Sequence, residues 1–189
     1  MSTVLFLSGF NAPEIASKSY FFFDENAWNC KTIFYKSKTP TSPSMVEYEL
    51  TKLNELITSE PTHVIGHSLG AWWVANLACR RMPEITRRDY HKMGKIVLWT
   101  PLGIASVFPF FRPASYQEPL NCQPNKEHIG HDKTMVVYAK NDLIVPYKPH
   151  ALPLVDKFQA KSVALNGGHL WQTNHRIGFL AMQHWLGVD

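Results

Sequence analysis

A serine stands between two glycines in the stretch "HVIGHSLGAWW", which covers residues 63–73. Apolar residues typical of a buried strand come before it, and small and aromatic residues follow it at helical spacing. A sharp turn from strand to helix strains its central residue and exposes that side chain. Side chains two residues before and after would collide across such a turn, so Gly66 and Gly70 suit it. The pattern predicts a nucleophile elbow made of Gly66, His67 and Gly70 around Ser68.

Two further side chains could activate the Ser68 hydroxyl, which alone is a poor nucleophile and requires a base and an acid that orients the base. Asp142 follows the apolar run "MVVYA", and His169 follows the run "SVALN". The carboxyl ends of parallel strands meet at one edge of a sheet, so both side chains are expected beside Ser68. We therefore predict a catalytic triad of Ser68, Asp142 and His169, with His169 as the base.

Other titratable side chains fit these roles less well. Asp132 precedes its strand and is expected at the opposite edge of the sheet, while neighbours such as His67 and Ser68 point apart on a sharp turn. His128, His131 and Asp132 in "EHIGHD" have a spacing that would permit metal binding. Neither a helix nor a further nearby ligand supports a metal site there. The sequence predicts no metal and no cofactor.

The elements that must position these residues can be read from the apolar pattern. Short β-type runs occur at residues 3–8, 31–36, 62–67, 95–100, 133–139 and 161–166. Most are continuous rather than alternating, which favours strands buried on both faces of a parallel sheet. Helical spacing occurs at residues 44–57, 69–81, 147–158 and 174–186. The alternation predicts an α/β fold, a three-layer α/β/α sandwich around a mostly parallel sheet of about six strands.

Two details of the helices are also predicted. Ser44 and Glu47 form a capping-box pattern, which predicts that the first helix begins there. In the last helix, Ile177, Leu180, Ala181 and Trp185 form a predicted apolar face, which Phe179 and Leu186 widen.

The composition indicates one globular domain over residues 1–189. The hydrophobic fraction of 45% and the charged fraction of 18% exclude a disordered or fibrous chain. No apolar run approaches the roughly 20 residues of a membrane helix, and the N-terminus lacks the basic region of a signal peptide. Cys30, Cys79 and Cys122 are an odd and scattered set, which predicts free thiols in a reducing compartment. We expect a cytoplasmic protein.

The net charge of +4 gives little indication of a charged partner. The densest basic cluster, "CRRMPEITRRDYHK", contains acidic residues as well. It is either a solvated helix end and loop or a patch for an acidic partner. Because no nucleic-acid-binding motif accompanies it, no nucleic-acid partner is predicted.

One segment, residues 101–128, interrupts the alternation of strands and helices. It is rich in proline and aromatic residues and has no clear period. Long irregular loops in compact domains are often lids or binding loops, so we predict that role within the single domain. The alternative is an irregular segment that only packs on the surface.

Ser68 in "GHSLG", Asp142 in "NDLIVP" and His169 in "GGHL", in this order, resemble the α/β-hydrolase superfamily. The sequence looks closest to the short single-domain serine hydrolases and carboxylesterases, and the resemblance covers nearly the whole chain. It implies that His169 takes the Ser68 proton, that Oγ attacks an ester carbonyl, and that water then releases the acid. It also implies an oxyanion hole made of the backbone N–H groups of Leu69 and Phe10. Before Phe10, this sequence has Ser-Gly where the family commonly has His-Gly, and it lacks the large inserted cap of bigger relatives.

The resemblance leaves other functions open. A thioesterase or an amidase would use the same fold and triad, and a non-catalytic binding protein could share the fold without the chemistry. The expected partner is a small-molecule ester or acyl substrate, with no membrane partner. The sequence does not indicate the oligomeric state.

Overall fold

The computed structural model describes residues 2–10, 29–58, 62–79, 93–103, 119–169 and 175–188. The strands in these ranges are β1 (Ser2–Leu7), β2 (Cys30–Tyr35), β3 (Thr62–His67), β4 (Met93–Trp99), β5 (Thr134–Ala139) and β6 (Lys161–Leu165). The α-helices are α1 (Pro43–Thr58), α2 (Leu69–Cys79), α3 (Tyr147–Phe158) and α4 (His175–Leu186), and short 3-10 helices cover Pro119–Asn121 and Lys126–His128. The predicted strands and helices are therefore confirmed.

All six strands described form one parallel sheet in the order β2-β1-β3-β4-β5-β6. The chain proceeds from β1 outward to β2 and then returns past β1 to β3. The direction of strand addition thus reverses between β1 and β3. In open parallel sheets, this reversal opens a crevice beyond the carboxyl ends of the two strands, where ligands bind. Ser68 directly follows β3, so the predicted nucleophile lies at this crevice.

Helices cover both faces of the sheet. Leu5 and Leu7 of β1 belong to a buried cluster with residues of α1, α2 and α3. Val4 and Phe6, which alternate with them, belong to a second buried cluster with residues of α4. Because strands buried on both faces need apolar side chains at successive positions, this packing explains the continuous apolar runs. The predicted three-layer α/β/α sandwich is confirmed.

Helix α1 begins differently from the prediction. The backbone N–H of Met45 donates a hydrogen bond to Oγ of Ser42 at 3.2 Å, which makes Ser42 the N-cap. Pro43 occupies the first helical position, where its fixed φ and missing N–H are tolerated. The predicted capping box of Ser44 and Glu47 was therefore wrong by two residues.

The buried face of α4 also differs from the prediction. Phe179, Met182 and Trp185 are buried, whereas Ile177 is 58% exposed and Leu180 is 54% exposed. Apolar residues occur almost all round this helix, so their spacing alone does not fix which face meets the sheet. The assignment of Phe179, Trp185 and Leu186 was right, and that of Ile177 and Leu180 was wrong.

The cysteines are a further correction. Cys79 and Cys122 form a disulfide across 43 residues of sequence, so the prediction of three free thiols was wrong for this pair. Cys30 is buried and free. The partners meet because the end of α2 lies against the segment that leads into β5. There the backbone N–H of Asn125 donates to the carbonyl of Ala78 at 2.9 Å.

The segment at residues 119–128 lies away from the carboxyl edge of the sheet. Helix α2 begins at that edge and runs back along the sheet, so its end at Cys79 lies near the opposite edge. The disulfide holds Cys122 there, and Nζ of Lys157 donates to the carbonyls of Leu120 at 2.5 Å and Cys122 at 2.6 Å. This part of the predicted lid therefore lies far from Ser68.

Some predictions concern residues outside the described ranges. These are residues 104–118 of the predicted lid and residues 80–92 of the basic cluster. Among the described residues, no helix is both long and apolar enough to cross a membrane.

Candidate active site

Ser68 forms the turn between β3 and α2. Its φ of 52° lies in the left-handed region, which an L-residue other than glycine adopts at a cost of roughly 1–3 kcal/mol. Its backbone N–H donates to the carbonyl of Trp99 at 2.9 Å, and its carbonyl accepts from the N–H of Ala71 at 3.1 Å. The main chain is thus held on both sides of the strained residue. Strain of this kind clusters at functional sites.

The two glycines of the motif are required by close backbone contacts. A Cβ at Gly66 would lie 2.4 Å from the carbonyl oxygen of Gly70. A Cβ at Gly70 would lie 2.2 Å from the carbonyl oxygen of Leu7. Real Cβ atoms do not approach backbone so closely, so both positions must be glycine. The second contact also draws the end of β1 against the first turn of α2, beside Ser68.

Asp142 and His169 form a hydrogen-bonded pair. His169 Nδ1 lies 2.7 Å from Oδ2 of Asp142. Oδ1 of the same carboxylate accepts from the backbone N–H groups of Ile144 at 2.9 Å and Val145 at 2.8 Å. The carboxylate is therefore fixed by the turn after β5 and is held against the imidazole of His169.

The imidazole of His169 also lies beside the elbow. Its ring centroid is 5.2 Å from that of His67, which directly precedes Ser68. The ring of His67 is 4.9 Å from that of Trp99 on the other side. Because β3 and β6 are separated by two strands, this contact shows that His169 reaches back across the carboxyl edge of the sheet. Ser68, Asp142 and His169 are thus brought to one rim.

The sequence places His67 in the elbow and makes it a weak competitor of His169 as the base. It is buried, and burial together with the nearby His169 lowers its pKa to about 3. A group that is so hard to protonate is a poor base near neutral pH. Sequence reasoning missed the contact with His169. The available signal was the alternation of side chains along β3, which points residues 67 and 65 to the same face.

The loop after β1 faces Ser68 across the crevice. A Cβ at Gly9 would lie 3.4 Å from Cβ of Ser68. Oγ of Ser8 accepts from the backbone N–H of Ser37 at 3.2 Å, which ties this loop to the one after β2. Phe10 follows Gly9 and is 44% exposed. On the other side, Leu69 is the first residue of α2, where helix N–H groups have no partner within the helix.

His128, His131 and Asp132, whose spacing would permit metal binding, do not form such a site. Among the residues that the structure describes, no three His, Cys, Asp or Glu side chains form a group that could hold a metal ion. His128 is buried, and burial lowers its pKa to about 4. Asp132 instead has an exposed side chain, 3.5 Å from Nζ of Lys133.

Known structures resemble this fold along its whole length. One bears the name putative hydrolase of the alpha/beta superfamily and comes from Xanthomonas campestris pv. campestris, with a TM-score of 0.66, 14% identity and 99% of both chains covered. Another is the ydeN gene product from B. subtilis, with a TM-score of 0.64, 15% identity, and 99% of this chain and 100% of that one covered. A third is Est1E from Butyrivibrio proteoclasticus, with a TM-score of 0.64, 12% identity, and coverage of 97% and 86%. No protein-family model and no curated relative matches the sequence. At such identities the likeness shows a shared fold.

Proposed function

Because the chain has the α/β-hydrolase fold, we propose that it is a serine hydrolase that cleaves a small ester through an acyl-enzyme on Ser68. The observation that carries this proposal is the hydrogen bond of 2.7 Å between His169 and Asp142, beside a serine with strained backbone. Nucleophile, base and orienting acid are the parts that acyl transfer requires.

In the proposed mechanism, His169 donates its Nδ1–H to Asp142, which leaves Nε2 to accept the proton of Ser68. Oγ of Ser68 attacks the carbonyl carbon of the ester, and the C=O π pair moves onto the oxygen. We assign the backbone N–H groups of Leu69 and Phe10 as donors to this oxyanion. As the intermediate collapses, His169 returns the proton to the leaving alcohol. Water, activated by the same imidazole, then attacks the acyl-enzyme and releases the acid.

A small, accessible ester is the substrate that we propose. The support is the size of the chain. This chain and the Xanthomonas neighbour each cover 99% of the other, so neither contains a large inserted cap that the other lacks. Thioesters and amides are the alternatives. Initial rates with p-nitrophenyl esters of increasing acyl length, compared with matched thioesters and anilides, would define the class. Faster turnover of the thioester or anilide than of its matched ester would replace the esterase proposal.

The rival class is a non-catalytic binding protein on this fold. Labelling with a fluorophosphonate probe separates the two, because the probe reacts with an activated serine. We expect labelling of the native protein and none of Ser68→Ala. Ser37→Ala is the matched control: Ser37 is also a buried serine beyond the carboxyl end of a strand of this sheet, and its backbone N–H donates to Oγ of Ser8. The control should label normally, and an unlabelled native protein would favour the binding protein.

The cytoplasmic location stays a prediction, and the disulfide removes its main support because structural disulfides persist chiefly in oxidising compartments. Acid quenching of cells, followed by alkylation in denaturant, would test it, because the three cysteines are buried in the fold. Three alkylated cysteines fit the cytoplasm, whereas one alkylated cysteine, Cys30, indicates an oxidising compartment.

A further inference from the structure

A line of packed rings runs from α4 to the proposed base. Phe179 contacts Trp99 with ring centroids 5.3 Å apart, Trp99 contacts His67 at 4.9 Å, and His67 contacts His169 at 5.2 Å. Phe179 and Trp99 are buried in the core below the sheet. His67 is therefore the link between the rigid core and the imidazole of His169.

Among the described residues, the chain that leads into His169 gives it little support. It follows Gly167, whose φ is 143°, and Gly168, around which a Cβ would meet nothing within 4 Å. Glycines leave the backbone free to rotate. The hydrogen bond to Asp142 fixes Nδ1 but leaves the ring able to swing about that bond. A second contact, against the face of the ring, is needed to set its plane.

His67 is enclosed on its other sides. A Cβ at Gly9 would lie only 2.9 Å from its Nδ1, and the ring of Trp99 packs against it with centroids 4.9 Å apart. The titratable groups that face it in the described structure are His169 itself and, behind His169, the carboxylate of Asp142. Burial lowers the pKa of His67 to about 3. The ring of His67 is therefore uncharged near neutral pH, where a histidine base works.

We propose that His67 is a positioning residue for the base: its uncharged ring holds the imidazole of His169 in the plane that keeps Nδ1 on Asp142 and turns Nε2 towards Ser68. It excludes water from that side of His169, and it adds no second positive charge when His169 takes up the Ser68 proton. This role rests on the proposed serine hydrolase and goes beyond it, since the elbow requires only small neighbours at positions 66 and 70.

The test compares His67→Ala with His67→Gln and with a histidine control. Displacement of a catalytic group by about 1 Å can cost on the order of 100-fold, so we expect His67→Ala to lower kcat by about 10- to 100-fold with little change in KM. Water entering the space would stabilise the imidazolium of His169. The acidic limb of the kcat profile should therefore move to higher pH. His67→Gln, which keeps an uncharged planar group, should recover most of kcat and the original limb.

His63→Ala is the matched control. His63 lies at the far end of the same strand, and its Nδ1 accepts a hydrogen bond from the backbone N–H of Lys95 at 3.0 Å. This variant should lose stability without moving the pH profile. Rates are expressed per active site, by titration with the fluorophosphonate.

Three outcomes decide the proposal. A lower kcat with a shifted acidic limb in His67→Ala, restored in His67→Gln, supports it. A native kcat and pH profile in His67→Ala would overturn it. So would a loss of stability equal to that of His63→Ala with no shift of the acidic limb. In either case, labelling of the native protein would still support the hydrolase. Failure of the native protein to label removes the hydrolase first, and the positioning role with it.

Discussion

Reduction of the disulfide between Cys79 and Cys122 should destabilise the protein by an amount that follows from its position. The bond spans 43 residues, and closing a loop of that length removes about 13 cal/mol/K from the entropy of the unfolded chain. At 25 °C this corresponds to about 4 kcal/mol, a large part of the 5–15 kcal/mol that stabilises a typical domain. Because urea m-values are about 1–3 kcal/mol/M, the midpoint should fall by roughly 2 M.

The assay is urea unfolding of the native protein with and without a phosphine reductant. Cys122→Ala should unfold at a low midpoint that the reductant does not change. In Cys30→Ala, which keeps the disulfide, the urea midpoint should still fall when the reductant is added. Activity of the folded, reduced protein should be close to native, because α2 has 11 residues and therefore separates Cys79 from the start of the helix by about 15 Å. Equal midpoints in both conditions would refute the reasoning.

Three further changes have defined outcomes. Asp142→Asn should lower kcat by about 10³- to 10⁴-fold with a nearly unchanged KM, because the amide favours the wrong tautomer of His169; near-native kcat per titrated site would contradict the orienting role. Gly70→Ala should cost about 3 kcal/mol or more of unfolding free energy in urea, because its Cβ would lie 2.2 Å from the carbonyl oxygen of Leu7. In Gly168→Ala the new Cβ would meet nothing within 4 Å, so the loss of unfolding free energy should be less than about 1 kcal/mol. Equal losses in the two variants would count against the close contact at Gly70. Burial lowers the pKa of His128 from 6.5 to about 4, so the unfolded chain binds that proton first as the pH falls. Stability should thus be lost between these two values, by up to about 3 kcal/mol, and His128→Gln should flatten the decline in urea midpoint between pH 7 and pH 4.

Much of the fold could be predicted because burial on both faces of a parallel sheet leaves continuous apolar runs. Their order also predicted that Ser68, Asp142 and His169 lie at one edge of the sheet, since each follows a strand and the ends of parallel strands share one edge. Gly66 and Gly70, two residues before and after Ser68, predicted the sharp turn. These features are local in the sequence, and the parallel order of the strands is enough to bring the residues that follow them to one edge.

The errors concern properties that only tertiary packing decides. Cys79 and Cys122 are 43 residues apart, and nothing in either neighbourhood indicates the other. Apolar residues lie on nearly all sides of α4, so its packing against the sheet decides which of them are buried. Leu180 is exposed for this reason. The contact between His67 and His169 requires a loop to fold back across two strands.

The most direct test of the central claim is to locate the covalent adduct after reaction with the fluorophosphonate. Peptide mass spectrometry of the labelled protein should place the phosphonyl group on Ser68. Labelling should fall sharply in His169→Ala, because the hydroxyl loses its base. An adduct on another residue, or undiminished labelling of Ser68 without His169, would contradict the proposed acyl-enzyme chemistry.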